Sequence, residues 1–312
     1  MADFWKRFIK RPLVWVFSTI LTALALLVIP FWSRRQIVRL ARGMGKAGLV
    51  LARRETAIAE SNLDLAYGGR LSARRKRALI CRSFETFSLL LLDLFWFSIR
   101  PHRRMARYTR IDPSLGRYLV PGGRIFVTAH YGNWEILGQA TAASGYALVS
   151  VAKPIDNAVV DRILIRIREK CGQVILPQTG ALRRMLSLLR DGLGVALLLD
   201  QDTSPRHGGI PVRFFGKPVY VSTAAASFSR KLKVPVIITF ARSVRGIYRF
   251  YALDTVFTLG DGETDAAFTQ RIMDATESEI RRHPGHWLWM YKRWKRFFPG
   301  ETPTRYQFYA KP

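Results

Sequence analysis

Between Pro12 and Ser33 the chain carries no charged residue, and no other feature restricts its folding as tightly. The centre of this run, Leu13-Val-Trp-Val-Phe-Ser-Thr-Ile-Leu-Thr-Ala-Leu-Ala-Leu-Leu-Val-Ile29, is long enough as a helix to cross the roughly 30 Å hydrocarbon layer of a bilayer. It ends in Pro30-Phe-Trp-Ser-Arg-Arg35 without a small-x-small cleavage site, so residues 1–33 read as a retained membrane anchor and not as a cleaved signal. Lys6, Arg7, Lys10 and Arg11 precede the run, and Arg34, Arg35, Arg39, Arg42 and Lys46 follow it. With cations on both sides the positive-inside rule sets no orientation, and a spanning helix and one lying in a single leaflet both fit.

Charge narrows the partners. Fifty Lys and Arg against 22 Asp and Glu give a formal charge of +28 in a chain that is 49% hydrophobic. Such a surface prefers anions, whether acidic lipids, an acidic carrier protein or nucleic acid. Aromatic and basic residues alternate in Phe4-Trp5-Lys6-Arg7 and from Trp289 to Phe298, the mixture found at membrane interfaces. No nucleic-acid-binding signature accompanies them, so membrane phospholipids are the expected surface and nucleic acid is not. Cys81 and Cys171, far apart in sequence, suggest neither a disulfide framework nor a zinc site, which suits a body facing a reducing compartment.

Residues 34–312 suffice for one large domain. From 34 to 100 the pattern is helical and amphipathic, broken near Gly68-Gly69 and ending in the very apolar Leu89–Phe97, read as core-packed. From 101 to 312 short apolar runs recur at Ile125–Thr128, Ala147–Val151, Val174–Leu176, Gly194–Leu199, Val234–Phe240 and Tyr251–Val256. Helical patterns fall between them at Trp134–Ala143, Asp156–Lys170 and Gly180–Asp191. This alternation predicts an α/β fold: a central mixed, largely parallel sheet flanked by helices, with reactive groups at the carboxyl ends of strands. His130, Lys153 and Asp200 fall at such ends.

Thr128-Ala-His130-Tyr-Gly-Asn-Trp-Glu135 places an imidazole and a carboxylate five residues apart where a strand gives way to a helix. With His130 in the turn, Glu135 can fold back, fix the ring tautomer and leave the other nitrogen free to take a proton from a substrate hydroxyl. The plainer reading makes His130 a hydrogen-bonded turn residue and Glu135 a first-turn acid. Gly132 and Asn133 open the helix, and their N–H groups are candidates for oxyanion binding, aided by Lys153. Asp200 and Asp202 offer two oxygen ligands, fewer than a dedicated cation site provides, so no metal is expected. Asp200 is expected to hold basic side chains, and Asp202 to shape the turn before Pro205. Arg213 and Lys217 are candidate clamps for sugar phosphates, with a solvated face as the competing reading. Ser222 lacks a nucleophile elbow and reads as a helix cap. No chemistry is assigned to His102, His207, His283 or His286, and Trp287, Trp289 and Trp294 are expected to anchor or pack.

Five blocks in order carry a resemblance: the His-x4-Glu turn, Val151-Ala-Lys-Pro-Ile-Asp-Asn157, Leu199-Asp-Gln-Asp202, Gly209-Ile-Pro-Val-Arg-Phe-Phe-Gly-Lys-Pro218, and Trp287-Leu-Trp-Met-Tyr-Lys-Arg-Trp-Lys295. Over nearly its whole length the chain resembles the bacterial lipid A late acyltransferases, within the glycerolipid acyltransferase superfamily. The resemblance implies His130 and Glu135 as the catalytic pair and acyl carrier protein thioesters as donors, with coenzyme A thioesters the other anionic option. It implies a lipid A precursor as acceptor and a body at the cytoplasmic face of the bacterial inner membrane, with no required cofactor. Lys153 stands where such enzymes often carry Arg, and a point charge cannot make the bidentate contact of a guanidinium. Acylation of another glycolipid, an aminolipid or a lysophospholipid is the alternative within the superfamily. A basic membrane-interface scaffold is the non-enzymatic one.

Overall fold

The computed structural model describes residues 11–298 and 308–310. Phe4-Trp5-Lys6-Arg7, Lys10 and the start of the expected anchor lie outside the described residues. Helix α1 (Arg11–Val28) runs into a 3-10 turn, Ile29–Phe31. Pro12–Phe31 is 20 residues long with a mean hydropathy of 2.3 and is only 6% buried, so by length and composition it can cross a membrane. Ser33 and Gln36 then form a reciprocal capping box that starts α2 (Arg34–Leu51). Helix α3 (Arg53–Tyr67) ends on Gly68 in the left-handed conformation, and Ser72 caps α4 (Ala73–Trp96).

The remaining elements include all the predicted strands and the helices between them, joined by others that the apolar pattern does not mark, among them the first strand and a separate hairpin. They are α5 (Pro101–Tyr108), β1 (Thr109–Ile111), α6 (Pro113–Gly116), β2 (Arg124–Thr128), α7 (Trp134–Ala143), β3 (Leu148–Ala152), α8 (Ala158–Glu169), β4 (Val174–Pro177), α9 (Ala181–Arg190) and β5 (Gly194–Leu198). Then come β6 (Gly209–Phe214), β7 (Lys217–Ser222), α10 (Ala224–Leu232), β8 (Val236–Val244), β9 (Ile247–Phe257) and α11 (Asp265–Arg282). Seven strands form one sheet in the order β1-β9-β8-β2-β5-β3-β4, and β6 with β7 forms a separate hairpin. Every pairing in the large sheet is parallel except β8 with β9, which is the mixed, largely parallel sheet expected.

Alternation along the central strands splits the core in two. Ile125, Val127, Val195, Ile238 and Phe240 face one cluster, while Phe126, Ile237 and Ala241 face the other. Helices α9, α10 and α11 cover the first face, and α2 and α7 the second. Helix α4 contributes to both, with Leu79, Ile80 and Phe84 on one side and Leu89, Leu92 and Trp96 on the other. The apolar end of the second helical segment is therefore core, as expected. So are Trp287, Trp289 and Trp294, each no more than 3% exposed: they pack and do not anchor.

One polar cluster lies within this packing. Asp93 on α4 is fully buried and pairs with the buried Arg34 guanidinium of α2. The same carboxylate accepts the Tyr248 hydroxyl at 2.6 Å and the Asn133 amide at 3.3 Å. The Arg34 Nε–H also donates to the Gly246 carbonyl at 2.8 Å, and its guanidinium lies 5.0 Å from the Trp96 ring centroid. Removing one partner strands a buried charge, so Asp93→Ala should destabilise by about 3–5 kcal/mol. Replacing both with apolar side chains (Arg34→Met, Asp93→Leu) should recover most of that loss. Urea unfolding of the three proteins in one detergent checks this, and an unchanged midpoint for Asp93→Ala would refute it.

Candidate active site

Strands β2 and β5 are parallel neighbours with Thr128 opposite Leu198. Two residues past each pairing, the chain sets His130 and Asp200 side by side. His130 Nδ1 lies 2.8 Å from Asp200 Oδ1, and the His130 backbone N–H donates to Oδ2 at 3.0 Å. The Trp287 indole N–H donates to the same Oδ2 at 2.8 Å. Burial alone would raise the Asp200 pKa. Burial is the largest single influence, but the His130 charge and the hydrogen bonds from the His130 ring, the Trp287 indole and the His130 N–H together outweigh it, and the carboxyl is held below the usual range. An ionised Asp200 requires the proton on Nδ1 and so turns the Nε2 lone pair outward. The Gln201 amide nitrogen meets that lone pair at 3.1 Å, and the Trp134 ring packs against the imidazole at 4.8 Å between centroids.

The turn carrying His130 is clamped from the far end of the chain. Gly132 has φ +61°, and a Cβ there would sit 1.5 Å from the Ala241 carbonyl oxygen, so no other residue fits this backbone. Its N–H donates to the His286 carbonyl at 2.9 Å, the Leu288 N–H donates to the His130 carbonyl at 3.0 Å, and Tyr131 bridges Trp287. This corrects one expectation, since the Gly132 N–H is engaged by protein and does not point at a substrate. Asn133 caps α7 as expected, its Oδ1 accepting the Ile136 N–H at 3.0 Å, while its Nδ2 reaches Tyr248 at 3.0 Å.

Glu135 departs from the expected role. It does not turn back to the imidazole but makes a bidentate pair with Arg168 of α8, at 2.7 and 2.8 Å. The first turn of α7 faces α8, where a mostly buried guanidinium needs a carboxylate. Strand register has already given Asp200 to His130. Glu135, Arg168, His130 and Lys153 all line one pocket of about 210 Å³ with apolar walls that include Phe126 and Leu198. Lys153 is exposed at its rim, directly after β3.

Other expectations are revised. Asp200 holds one basic side chain, that of His130, together with the Trp287 indole N–H; among the described residues no Lys or Arg forms an ion pair with it. Asp202 shapes no turn but pairs with Lys295 at 3.2 Å and Arg296 at 2.9 Å. Among the described residues no group of three or more His, Cys, Asp or Glu gathers as a metal site. Arg213 donates to the Gly216 carbonyl of its own hairpin at 3.1 Å and lines a groove with Gln270 and Glu277. Lys217 stands opposite Phe214 across the same hairpin. Neither lines the His130 pocket, so the clamp reading fails for that pocket. The Ser222 hydroxyl accepts the Ala224 N–H at 3.2 Å, but the N-cap of α10 is Thr223, whose side chain makes no capping bond, so Ser222 sits one residue ahead of the expected cap position. Gln201 and Trp287 fall inside two of the five blocks, yet nothing in their local sequence marks their contacts with His130 and Asp200, and Arg168 carries no local signal.

A family model described as "Bacterial lipid A biosynthesis acyltransferase" matches residues 4–296. The chain is 25% identical over 280 residues to the lipid A biosynthesis lauroyltransferase of Escherichia coli K12, covering 86% of this chain and 88% of that one. It is 26% identical over 231 residues to the phosphatidylinositol mannoside acyltransferase of Mycobacterium tuberculosis, covering 69% of this chain and 70% of the relative. The lipid A biosynthesis palmitoleoyltransferase of E. coli K12 is 24% identical over 261 residues, 81% and 82% of the two chains.

His286, whose carbonyl holds Gly132, is largely buried. Burial first, then Arg82, His283 and Arg242, push its pKa down to about 3. From pH 6.5 down to about 3 the unfolded chain binds a proton here that the folded chain refuses, so stability is lost as pH falls. The slope from this residue approaches about 1.4 kcal/mol per pH unit. His286→Gln should flatten the difference between urea midpoints at pH 7 and pH 5, and an identical difference in both proteins would rule the residue out as the cause.

Proposed function

Because the chain belongs to the bacterial lipid A biosynthesis acyltransferase family, we propose that it transfers a fatty acyl chain from an acyl carrier protein thioester to a hydroxyl of a lipid A precursor. The observation that carries the mechanism is the His130 imidazole, held through Nδ1 by the buried Asp200 at the mouth of an apolar pocket. Family membership sets the scaffold reading aside. The phosphatidylinositol mannoside acyltransferase among the relatives keeps a second acceptor class open, an anionic glycolipid of another kind acylated at the same site.

In this reading the acceptor hydroxyl displaces the Gln201 amide from His130 Nε2. Nε2 takes the hydroxyl proton as oxygen attacks the thioester carbonyl carbon, and Asp200 stabilises the imidazolium without itself being protonated. Lys153 at the rim and the released Gln201 amide steady the oxyanion. The tetrahedral centre collapses, the C–S bond breaks, and Nε2 returns the proton to the departing thiolate, leaving an ester and a free carrier thiol. No covalent enzyme intermediate and no cofactor enter. Glu135 and Arg168 build the wall that receives the acyl chain and hold no proton in flight. Helix α1 anchors the enzyme in the inner membrane with the body on the cytoplasmic side, where carrier and nascent lipid meet. Acyl coenzyme A is the second donor to test.

Mass spectrometry of acyl transfer from a panel of acyl carrier protein thioesters to a tetra-acylated lipid A precursor tests the reading. Wild type should add one chain. His130→Ala should lose about 10²–10⁴-fold in kcat, and Asp200→Asn should lose a large part of that while stranding the wrong tautomer. Glu135→Gln should mainly raise KM for the acyl donor. A fully active His130→Ala protein would sink the mechanism, and product with only a mannoside acceptor would reassign the substrate.

A further inference from the structure

On the surface beside the anchor, Arg34, Arg35, Val38, Arg39, Arg42 and Arg245 enclose a pocket of about 350 Å³ whose lining contains no carboxylate. Arg34 is committed to Asp93, and Arg42 lies 3.5 Å from Glu85, which Arg82 already holds at 2.6 Å. Arg35, Arg39 and Arg245 have no acidic partner among the described residues. Arg35, Arg39, Arg42 and Lys46 recur at helical spacing along the exposed side of α2, and like charges three and four residues apart oppose helix formation. Cations gathered at such a cost, three of them with no acid among the described residues to neutralise them, call for an anion.

A second, independent observation comes from the β8–β9 hairpin. Its two-residue turn has positive φ at both positions, 52° at Arg245 and 85° at Gly246, a turn that favours Asn, Asp or Gly first. An arginine held there is backbone strain, which gathers at functional positions. Gly246 is wedged on α2, where an added Cβ would lie 2.8 Å from Val38, and its carbonyl accepts Arg34 Nε–H. The tip is thereby fixed with Arg245 on the arginine side of α2. Strand β8 runs parallel to β2, so Arg245 projects from the same end of the sheet as His130.

We propose that this pocket binds a phosphate group, and that its source is a lipid headgroup at the membrane surface. Guanidinium forks match the oxygens of a phosphate two at a time. The surroundings favour lipid over free phosphate. Val244 and Ile247, on either side of the turn, are 53% and 42% exposed, and Phe31, three residues before Arg34, is 74% exposed. Apolar side chains around bare arginines suit the boundary between headgroups and acyl chains. The inference stands apart from the transfer chemistry, because none of these arginines touches the His130 pocket.

The test is native mass spectrometry of the full chain in detergent, titrated with dihexanoyl phosphatidic acid, dihexanoyl phosphatidylcholine or inorganic phosphate. No acyl donor is present, so failure of the acyl-transfer reading would leave the result intact. Wild type should bind phosphatidic acid more tightly than either comparison. Arg245→Gly should weaken that binding about tenfold while leaving the melting temperature unchanged or raised, since glycine relieves the turn. Combining it with Arg35→Gln and Arg39→Gln should abolish binding, and His130→Ala should not change it. Equal phosphatidic acid binding by wild type and the triple variant would overturn the proposal, as would equal binding of phosphatidylcholine. Inorganic phosphate bound as tightly as the lipid would overturn the lipid source. A triple variant that keeps lipid binding but loses an acidic acyl carrier protein would reassign the patch to that protein.

Discussion

A single buried carboxylate ties the parts of this protein together. Asp93 takes the Arg34 guanidinium of α2, the Tyr248 hydroxyl of β9 and the amide of Asn133, the residue that caps α7. The first of these elements follows α1 through the Ile29–Phe31 turn, and the last opens the helix beyond the His130 turn. Packing alone would let α2 slide, because apolar contacts carry little direction. Hydrogen bonds to one ion in a dry interior are directional, and their loss exposes a charge that has no other solvent. The position of α2 relative to the His130 turn is thereby held by directional bonds to one carboxylate.

The site itself is an exercise in division of labour between two acids. Asp200 lies at the end of a central strand, 3% exposed, and accepts three N–H groups. Glu135 occupies a more accessible wall and is matched by a guanidinium. A carboxylate saturated by hydrogen bonds stays ionised and immobile, which suits a group that fixes the orientation of an imidazole. One already neutralised by arginine presents little net charge to the pocket it lines.

How much of this was legible in the sequence depended on how far each interaction reaches along the chain. Strands β2 and β5 were readable because central parallel strands, buried on both faces, show as unbroken apolar runs. Helix α7 was readable because the Gly132-Asn133 pair marks its start. The β6–β7 hairpin was not, since Pro211 and Pro218 argue against a strand; a two-stranded ribbon has free edges where proline costs no ladder bond. The partner of His130 was misread for a different reason. Glu135 is five positions away and Asp200 seventy, and only the β2–β5 register, with Thr128 opposite Leu198, brings the distant one closer. Local spacing carries no trace of such a pairing. The tail tryptophans illustrate the converse: their composition resembles an interface belt, yet all three pack inside around Phe214 and Phe215.

The clamp on the His130 turn has a temporal side. The groups that hold it, the His286 carbonyl, Trp287 and the Leu288 N–H, are made long after the turn they grip. At a synthesis rate of about 5–20 residues per second, on the order of ten to thirty seconds separate His130 from Leu288. During that interval Asp200 still lacks its indole donor and Gly132 its carbonyl partner. The order of elements along the chain thus leaves the His130 turn without its clamp until the segment around Trp287 has been made, so the turn is finished by residues about 160 positions downstream and not by its neighbours.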